Sequence, residues 1–139
     1  MKHVLVVDDE RDILTCLDEA LTGEGYRVSA ALSGAEALDV LATDVPDLII
    51  LDLRMPNMSG LELLQIIRRK HARLPIIICS ALSKYRNDYD IIRANVSAFV
   101  DKPIDLDKLL ATVRVLVADD RAAEAALPPE RPREQPEPR

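Results

Sequence analysis

Short apolar runs alternate with longer segments of helical period over the first 118 residues, and this alternation restricts the possible folds more than any other feature. The runs occupy positions 4–7, 27–31, 48–51, 76–79 and 98–100. Between them, apolar residues recur every three or four positions around 13–21, 35–41, 61–67 and 106–117. Such runs indicate β-strands, and such spacing indicates amphipathic helices. We therefore predict five strands, β1 to β5 in chain order, that alternate with helices.

The helix between β4 and β5 has the weakest signal and is predicted at 84–93; we call it α4, and we call the helix at 106–117 α5. Ser33 and Ser59 are each followed three residues later by Glu, the spacing of a capping box, which predicts that two helices begin there. Segments such as Leu-Ile-Ile-Leu lack polar alternation, as is typical of parallel strands with helices on both faces. The sequence thus predicts an α/β fold, a doubly wound (βα)5 three-layer sandwich with a five-stranded parallel sheet.

The predicted domain covers residues 1–118, because a chain of 139 residues has no room for a second core. Residues 119–127 are rich in Ala and charged side chains and are a possible extension of α5. Five prolines fall among the last twelve residues, so we expect 128–139 to be a flexible tail of Pro and charged residues.

Composition and charge exclude several classes of protein. No apolar run approaches the roughly 18 residues of a membrane span, and no signal peptide is recognisable, so we expect a cytoplasmic protein that does not bind membranes. The net charge of −6 argues against direct binding of nucleic acid. Cys16 and Cys79 lie in apolar segments and are expected to be buried thiols, not disulfide partners or metal ligands.

Polar side chains follow four of the five predicted strands. Asp8 and Asp9 follow β1, Asp52 follows β3, Ser80 follows β4 and Lys102 follows β5. Ligand sites of open parallel sheets lie at the carboxyl ends of the strands. Each residue alone has a simpler explanation: acids at a helix N-terminus, a turn residue, a helix cap and a solvated lysine. Those explanations do not account for the position of all of them at one edge of the sheet.

Three carboxylates at one edge require cations, because each pair would repel by about 4 kcal/mol at an effective dielectric constant of about 20. A divalent ion together with Lys102 would supply the balancing charge. Ligands that are all oxygen atoms favour Mg²⁺, and no His or Cys among the residues that follow the strands offers a ligand that would favour zinc. A carboxylate beside Mg²⁺ and a lysine is equipped to attack a phosphoryl group, and Asp52, on the central strand, is the best-placed nucleophile.

Four segments together resemble the receiver domain of two-component response regulators, in particular single-domain receivers of the chemotaxis type. They are Val-Val-Asp-Asp-Glu at 6–10, Leu-Asp-Leu-Arg-Met-Pro-Asn-Met-Ser-Gly at 51–60, Ser-Ala at 80–81 and Phe-Val-Asp-Lys-Pro at 99–103. The resemblance covers about residues 3–118. It implies a flavodoxin-like sheet with the strand order 2-1-3-4-5.

The resemblance also implies a role for each site residue. Asp52 would be the phosphoacceptor. Mg²⁺ would be bound by Asp9, Asp52 and the backbone carbonyl of Arg54, and by Asp8 through a water molecule. Lys102 would contact the phosphoryl oxygens, and the Lys102–Pro103 peptide bond would be cis. Ser80 would be the switch hydroxyl and Phe99 the switch aromatic.

The partners that the resemblance implies are a sensor histidine kinase or a histidine phosphotransfer protein, and a downstream protein that binds the surface formed by α4, β5 and α5 (the α4-β5-α5 surface). The chemistry would be limited to the chain's own phosphorylation and autodephosphorylation. Two positions depart from the family pattern. Asn95 stands where Gly is common, and we expect it to keep the turn because Asn tolerates a left-handed backbone. Phe99 lacks the hydroxyl of the commoner Tyr, which leaves packing as its means of signalling.

Other functions remain open at this point. An aspartyl-phosphate hydrolase that requires Mg²⁺ would usually have a second acid where Arg54 stands. A flavin carrier shares the fold, but Asp8 and Asp9 would repel its phosphate. A third alternative is an interaction module that is never phosphorylated. The receiver would act alone through partner proteins, or the tail would be a linker to an effector outside the sequence given.

Overall fold

The computed structural model describes residues 1–54, 58–81, 91 and 94–118. Five strands and four helices lie within these ranges: β1 (His3–Val7), α1 (Arg11–Gly23), β2 (Arg27–Ala31), α2 (Gly34–Thr43), β3 (Leu48–Asp52), α3 (Gly60–Lys70), β4 (Ile76–Ser80), β5 (Ala98–Asp101) and α5 (Leu106–Val117). Apart from Ile91, the predicted α4 lies outside the described residues, and so do the predicted helix extension at 119–127 and the tail at 128–139.

The five strands form one parallel sheet in the order β2-β1-β3-β4-β5, which confirms the predicted fold class and strand order. All residues of β1, β3 and β4 are buried, as their continuous apolar runs predict. Neighbouring strands end together: Val7 pairs with Leu51, and Asp52 pairs with Cys79. The residues that follow β1, β3 and β4 therefore lie along one edge of the sheet.

Alternating strand residues supply two cores, one on each face of the sheet. Leu5 and Ile49 pack in the core that α2 and α3 cover. Val4 and Ile50 face the other way and pack in the core that α1 and α5 cover. This three-layer arrangement buries both faces of the three inner strands, which is the burial that parallel sheets require.

The structure confirms one capping box completely and modifies the other. Ser59 Oγ accepts from the Glu62 amide at 3.1 Å, and Glu62 Oε1 accepts from the Ser59 amide at 3.0 Å. At the start of α2, Ser33 Oγ accepts from the Glu36 amide in the same way. Glu36 Oε1, however, accepts from the amide of Leu32, one residue before the cap. Both helices nevertheless begin where the sequence predicts.

The two cysteines differ in their surroundings. Cys79 is buried in β4, as predicted, and burial raises the pKa of its thiol to about 12. The prediction for Cys16 is wrong, because its side chain is exposed on α1. The buried stripe of α1 consists of Leu14, Leu17 and Leu21, and position 16 lies beside that stripe. Both thiols are free.

The helices in the described part of the chain are all too short or too polar to cross a membrane.

His3 is the first residue of β1. It therefore lies at the edge of the sheet opposite the one where the predicted site residues follow the strands. Its Nε2 atom is 2.7 Å from Ser29 Oγ, while its Nδ1 atom is buried without a hydrogen-bond partner among the described residues. Asp44 Oδ1 is 3.7 Å from Nδ1, and Arg27 pairs with the same carboxylate at 2.6 Å. Burial, followed by the charge of Arg27, lowers the pKa of His3 against the opposing influence of Asp44 and Asp47.

We expect this lowered pKa to make the fold less stable in mild acid. As the pH falls below about 6.5, the unfolded chain binds a proton at His3 more readily than the folded chain does, so the free energy of unfolding decreases. His3→Gln retains a polar partner for Ser29 and should show a smaller loss of stability in urea unfolding between neutral and mildly acidic pH. His71→Gln is the control. Equal pH dependence in wild type and His3→Gln would contradict the prediction.

Candidate functional site

Three carboxylates meet at the carboxyl edge of the sheet. Asp8 and Asp9 follow β1, and Asp52 ends β3, the neighbouring strand. Each offers an oxygen within 4.8 Å of the others. Asp8 and Asp52 are almost completely buried, whereas Asp9 is exposed. The structure thus brings together the three acidic residues that the sequence places after these two strands.

Lys102 reaches this cluster from the end of β5. Its Nζ atom is 2.9 Å from Asp8 Oδ2, 3.4 Å from Asp52 Oδ2 and 3.5 Å from Glu10 Oε1. Its backbone amide donates to the carbonyl of Ser80 at 3.0 Å, which fixes the start of the loop after β5. The Lys102–Pro103 peptide bond is cis, as the resemblance implies. The contact with Glu10 was not predicted, and only the position of Glu10 beside Asp8 and Asp9 pointed to it.

Backbone amides orient two of the carboxylates. The Glu10 amide donates to Asp8 Oδ1 at 2.9 Å, and the Arg54 amide donates to Asp52 Oδ1 at 3.1 Å. Both oxygens of Asp8 are therefore engaged, one by this amide and the other by Lys102. The carboxylate of Asp9 makes no hydrogen bond or ion pair with any described residue. Of the two aspartates after β1, Asp9 is the one whose oxygens are available to a metal ion.

The charges at the site shift the pKa of Asp52 and of Lys102. Burial raises the pKa of Asp52, and the nearby charge of Asp8 adds to this, while the Arg54 amide and Lys102 oppose it. Burial lowers the pKa of Lys102, but the hydrogen bond to Asp8 and the charge of Asp52 outweigh it, so that the pKa is raised overall. Lys102 is therefore a cation held against a cluster with more negative than positive charge.

The residues with predicted switch roles lie on the two strands beyond β3. Ser80 is buried at the end of β4, and it pairs in register with Asp101 of β5. Phe99 is partly buried on β5 and packs against the core beneath α2 and α3. Asn95 has a left-handed backbone, with φ of 55°, which confirms that it retains the turn before β5.

A comparison with models of known families gives one match. The model described as the response regulator receiver domain matches residues 4–114. The chain belongs to the response regulator receiver family. The receiver family match spans the sheet and all of the site residues named above.

Individual relatives of this receiver agree with the family match. The response regulator MprA of Mycolicibacterium vanbaalenii is 37% identical over 128 residues, covering 89% of this chain and 55% of that protein. The response regulator TrrA from Thermotoga maritima, solved in complex with Mg²⁺-BeF, is 41% identical with a TM-score of 0.77, covering 84% of this chain and 99% of that one. The chemotaxis protein CheY4 of Vibrio cholerae is 28% identical with a TM-score of 0.78, covering 84% and 98%. This receiver spans about half the length of the MprA proteins that it matches.

The donor atoms at this edge fit a magnesium ion. All three candidate ligands are carboxylate oxygens, and no His or Cys joins them in the described part of the chain. Hard oxygen ligands of this kind suit Mg²⁺, which binds through one or two carboxylates and keeps several waters. Lys102 supplies one positive charge against three carboxylates, and a divalent cation would balance the remaining negative charge. The acidic cluster therefore fits the Mg²⁺ site of a receiver.

Proposed function

We propose that this receiver accepts a phosphoryl group on Asp52 from a phosphohistidine of a sensor kinase or phosphotransfer protein, and that it works in the cytoplasm. The observation that carries the proposal is the convergence of Asp8, Asp9, Asp52 and Lys102 at one edge of the sheet. Residues 1–118 would form the receiver unit, and the signal would leave through the α4-β5-α5 surface to a downstream protein.

Asp52 would act as the nucleophile. One of its carboxylate oxygens attacks the phosphorus atom, a new O–P bond forms, and the P–N bond of the donor breaks with its electron pair passing to the imidazole. Lys102, 3.4 Å from Asp52 Oδ2, is placed to neutralise charge on the phosphoryl oxygens. A bound Mg²⁺ would supply further neutralisation of that charge. Asp9 and Asp52 would bind it together with the backbone carbonyl of Arg54, and Asp8 would act through a water molecule.

Autodephosphorylation would use the same groups, with water as the nucleophile. Water attacks the phosphorus atom, inorganic phosphate leaves, and the carboxylate of Asp52 is restored. No external substrate is needed, so the chemistry remains confined to the chain itself.

An apolar groove beside Lys102 supports the proposed partner. The groove has a volume of about 520 Å³, lies between α1 and the loop after β5, and is lined by Ile13, Cys16, Leu17, Ala81, Lys102, Pro103, Ile104 and Leu106. A donor protein must bring its phosphohistidine to Asp52, and an apolar surface next to Lys102 offers it a place to bind. We therefore infer that the kinase or phosphotransfer protein docks on this groove.

The test of the proposal is labelling by a small phosphodonor. Incubation with acetyl phosphate and Mg²⁺ should add one phosphoryl group per chain, seen as a shift in intact mass, and EDTA should abolish it. A chain that stays unlabelled under conditions that label another receiver would favour the alternative of an unphosphorylated interaction module.

The engagement of Asp8 and the availability of Asp9 predict an order of metal affinity. Asp8→Asn removes a group that acts through water, and such outer ligands change metal affinity by about 10- to 100-fold. Asp9→Asn removes a direct ligand, so we expect it to weaken Mg²⁺ binding more than Asp8→Asn does. Titration of each variant with Mg²⁺, followed by amide NMR shifts, measures both affinities. The reverse order, or equal losses, would contradict the assignment.

Ser80→Ala should separate phosphorylation from its transmission. The variant should still accept a phosphoryl group, because Asp52, Lys102 and the acidic ligands remain. It should respond weakly at the α4-β5-α5 surface, since the phosphoryl group has lost the hydroxyl proposed to move toward it and so to free space for Phe99. Amide shifts with and without beryllofluoride measure the response in wild type and variant. Undiminished changes at 94–101 in Ser80→Ala would remove Ser80 from the mechanism.

A further inference from the structure

Arg68 is a partly buried cation whose partners are three backbone carbonyl oxygens. Its Nε atom donates to Ala94 O at 2.5 Å, and its terminal nitrogens donate to His71 O at 2.9 Å and to Asn95 O at 3.3 Å. No carboxylate pairs with it within the described ranges. Burial lowers its pKa, but a guanidinium keeps its charge in proteins. The side chain therefore joins three carbonyls with charged hydrogen bonds.

The three carbonyls belong to two places that are distant in the chain. His71 is the residue that ends α3, while Ala94 and Asn95 lie in the turn before β5. Carbonyls at helix ends carry partial negative charge, so a cation stabilises them. The left-handed backbone at Asn95 turns the chain at the same point. Arg68 thus ties the end of α3 to the turn from which β5 starts.

The turn before β5 matters because β5 is an edge strand. Only β4 pairs with it, and its residues are only partly buried. At its far end, Lys102 is held by Ser80 and by the carboxylates of the site. At its near end, the Ser97 amide donates to Ile76 O at 2.8 Å. Arg68 donates to the carbonyls of Ala94 and Asn95 just before it. Phe99 lies between the two attachments.

We propose that Arg68 is a positioning residue that fixes the start of β5. When Lys102 is displaced at the other end of the strand, the fixed start causes Phe99 to move. The inference rests on the proposed function of Asp52. If the near end of an edge strand is free, the whole strand can drift and absorb a displacement at its far end. If the near end is fixed, the displacement is concentrated between the two attachments. Arg68 therefore influences how far β5 responds to phosphorylation, and not the phosphorylation reaction itself.

The test compares Arg68→Met with Arg69→Met. Both variants lose one positive charge near the end of α3, but Arg69 is exposed, and its side chain makes no hydrogen bond or ion pair with a described residue. Each protein is titrated with beryllofluoride in the presence of Mg²⁺ and followed by amide NMR. In Arg68→Met we expect nearly unchanged affinity, read from amides 8–10 and 52–54, and shift differences at 96–101 that fall by at least half. Arg69→Met should behave like wild type in both respects.

A conservative variant keeps the test decisive if Arg68→Met fails to fold. Arg68→Lys retains the charge but lacks the planar fork that serves three carbonyls at once, so it should give an intermediate response. Reduced stability in urea with undiminished shift differences at 96–101 would show a merely structural role and overturn the inference. If wild type itself shows no response to beryllofluoride, the proposed function fails and this inference fails with it. A wild-type response that Arg68→Met and Arg68→Lys retain contradicts this inference alone.

Discussion

Replacement of Asp52 by Asn is expected to abolish phosphorylation completely. The amide cannot act as the nucleophile, yet it has nearly the same shape and still offers an oxygen to the Arg54 amide, which donates to Asp52 at 3.1 Å. Burial, with the charge of Asp8 acting in the same direction, raises the pKa of Asp52, so we expect the site to accept a neutral amide there. The variant should therefore remain folded, with urea stability close to that of wild type, while intact mass shows no added phosphoryl group after incubation with acetyl phosphate and Mg²⁺.

Asp39→Asn is the matched control for this experiment. Asp39 is exposed on α2, and its carboxylate makes no hydrogen bond or ion pair with a described residue. The control removes one carboxylate elsewhere and should be labelled as fully as wild type. A labelled Asp52→Asn protein would assign the phosphoryl group to another residue and contradict the proposed mechanism.

The second large effect is expected at Gly60, where α3 begins against the end of β3. A Cβ atom at this position would lie 2.3 Å from Leu53 Cα and 2.6 Å from the carbonyl oxygen of Asp52. Both are backbone atoms, one of Asp52 itself and one of the next residue, so the clash is relieved only if α3 moves away from β3. Overpacking of this kind typically costs about 1–3 kcal/mol and occasionally more. We expect Gly60→Ala to lower the free energy of unfolding by about 3 kcal/mol or more, and to slow phosphorylation by displacing Asp52.

Gly34→Ala provides the control, because Gly34 begins α2 after a serine cap in the same local pattern. A Cβ atom there would lie 2.6 Å from Met58 Sδ and 3.2 Å from Met58 Cβ and Cγ, which are all atoms of one flexible side chain. Met58 can move without displacing backbone, so we expect a change below about 1 kcal/mol in urea unfolding. Equal losses in the two variants would mean that contact with the backbone of β3 is not what requires Gly60.

The edge of the sheet that carries the site was predictable because parallel strands end together. Apolar runs located the ends of β1, β3, β4 and β5, and the polar residues that follow them then had to share one edge. The partners of each side chain were a different matter. Only the family resemblance gave different roles to Asp8, which is engaged by Lys102 and the Glu10 amide, and to Asp9, whose oxygens make no hydrogen bond with a described residue; residue type and position alone did not distinguish them.

Two misses have physical reasons of their own. Cys16 was expected to be buried because its neighbours are apolar, but the rotation of α1 leaves it beside the buried stripe. Arg68 escaped notice because its partners are backbone carbonyls, and every residue has one. A hydrogen bond to the backbone leaves no pattern of residue types, so only the folded chain reveals which carbonyls a guanidinium reaches.

The strand order makes substitutions near the acidic cluster more disruptive than substitutions in β5. Asp52 ends β3 and Asp8 and Asp9 directly follow β1, two inner strands that each have two neighbours and contribute to both cores. Phe99 belongs to an outer strand with a single neighbour. Mutations in β5 can therefore accumulate with little damage to the acidic cluster. A lineage built on this sheet could change its outer strand repeatedly while it keeps one unaltered acidic cluster.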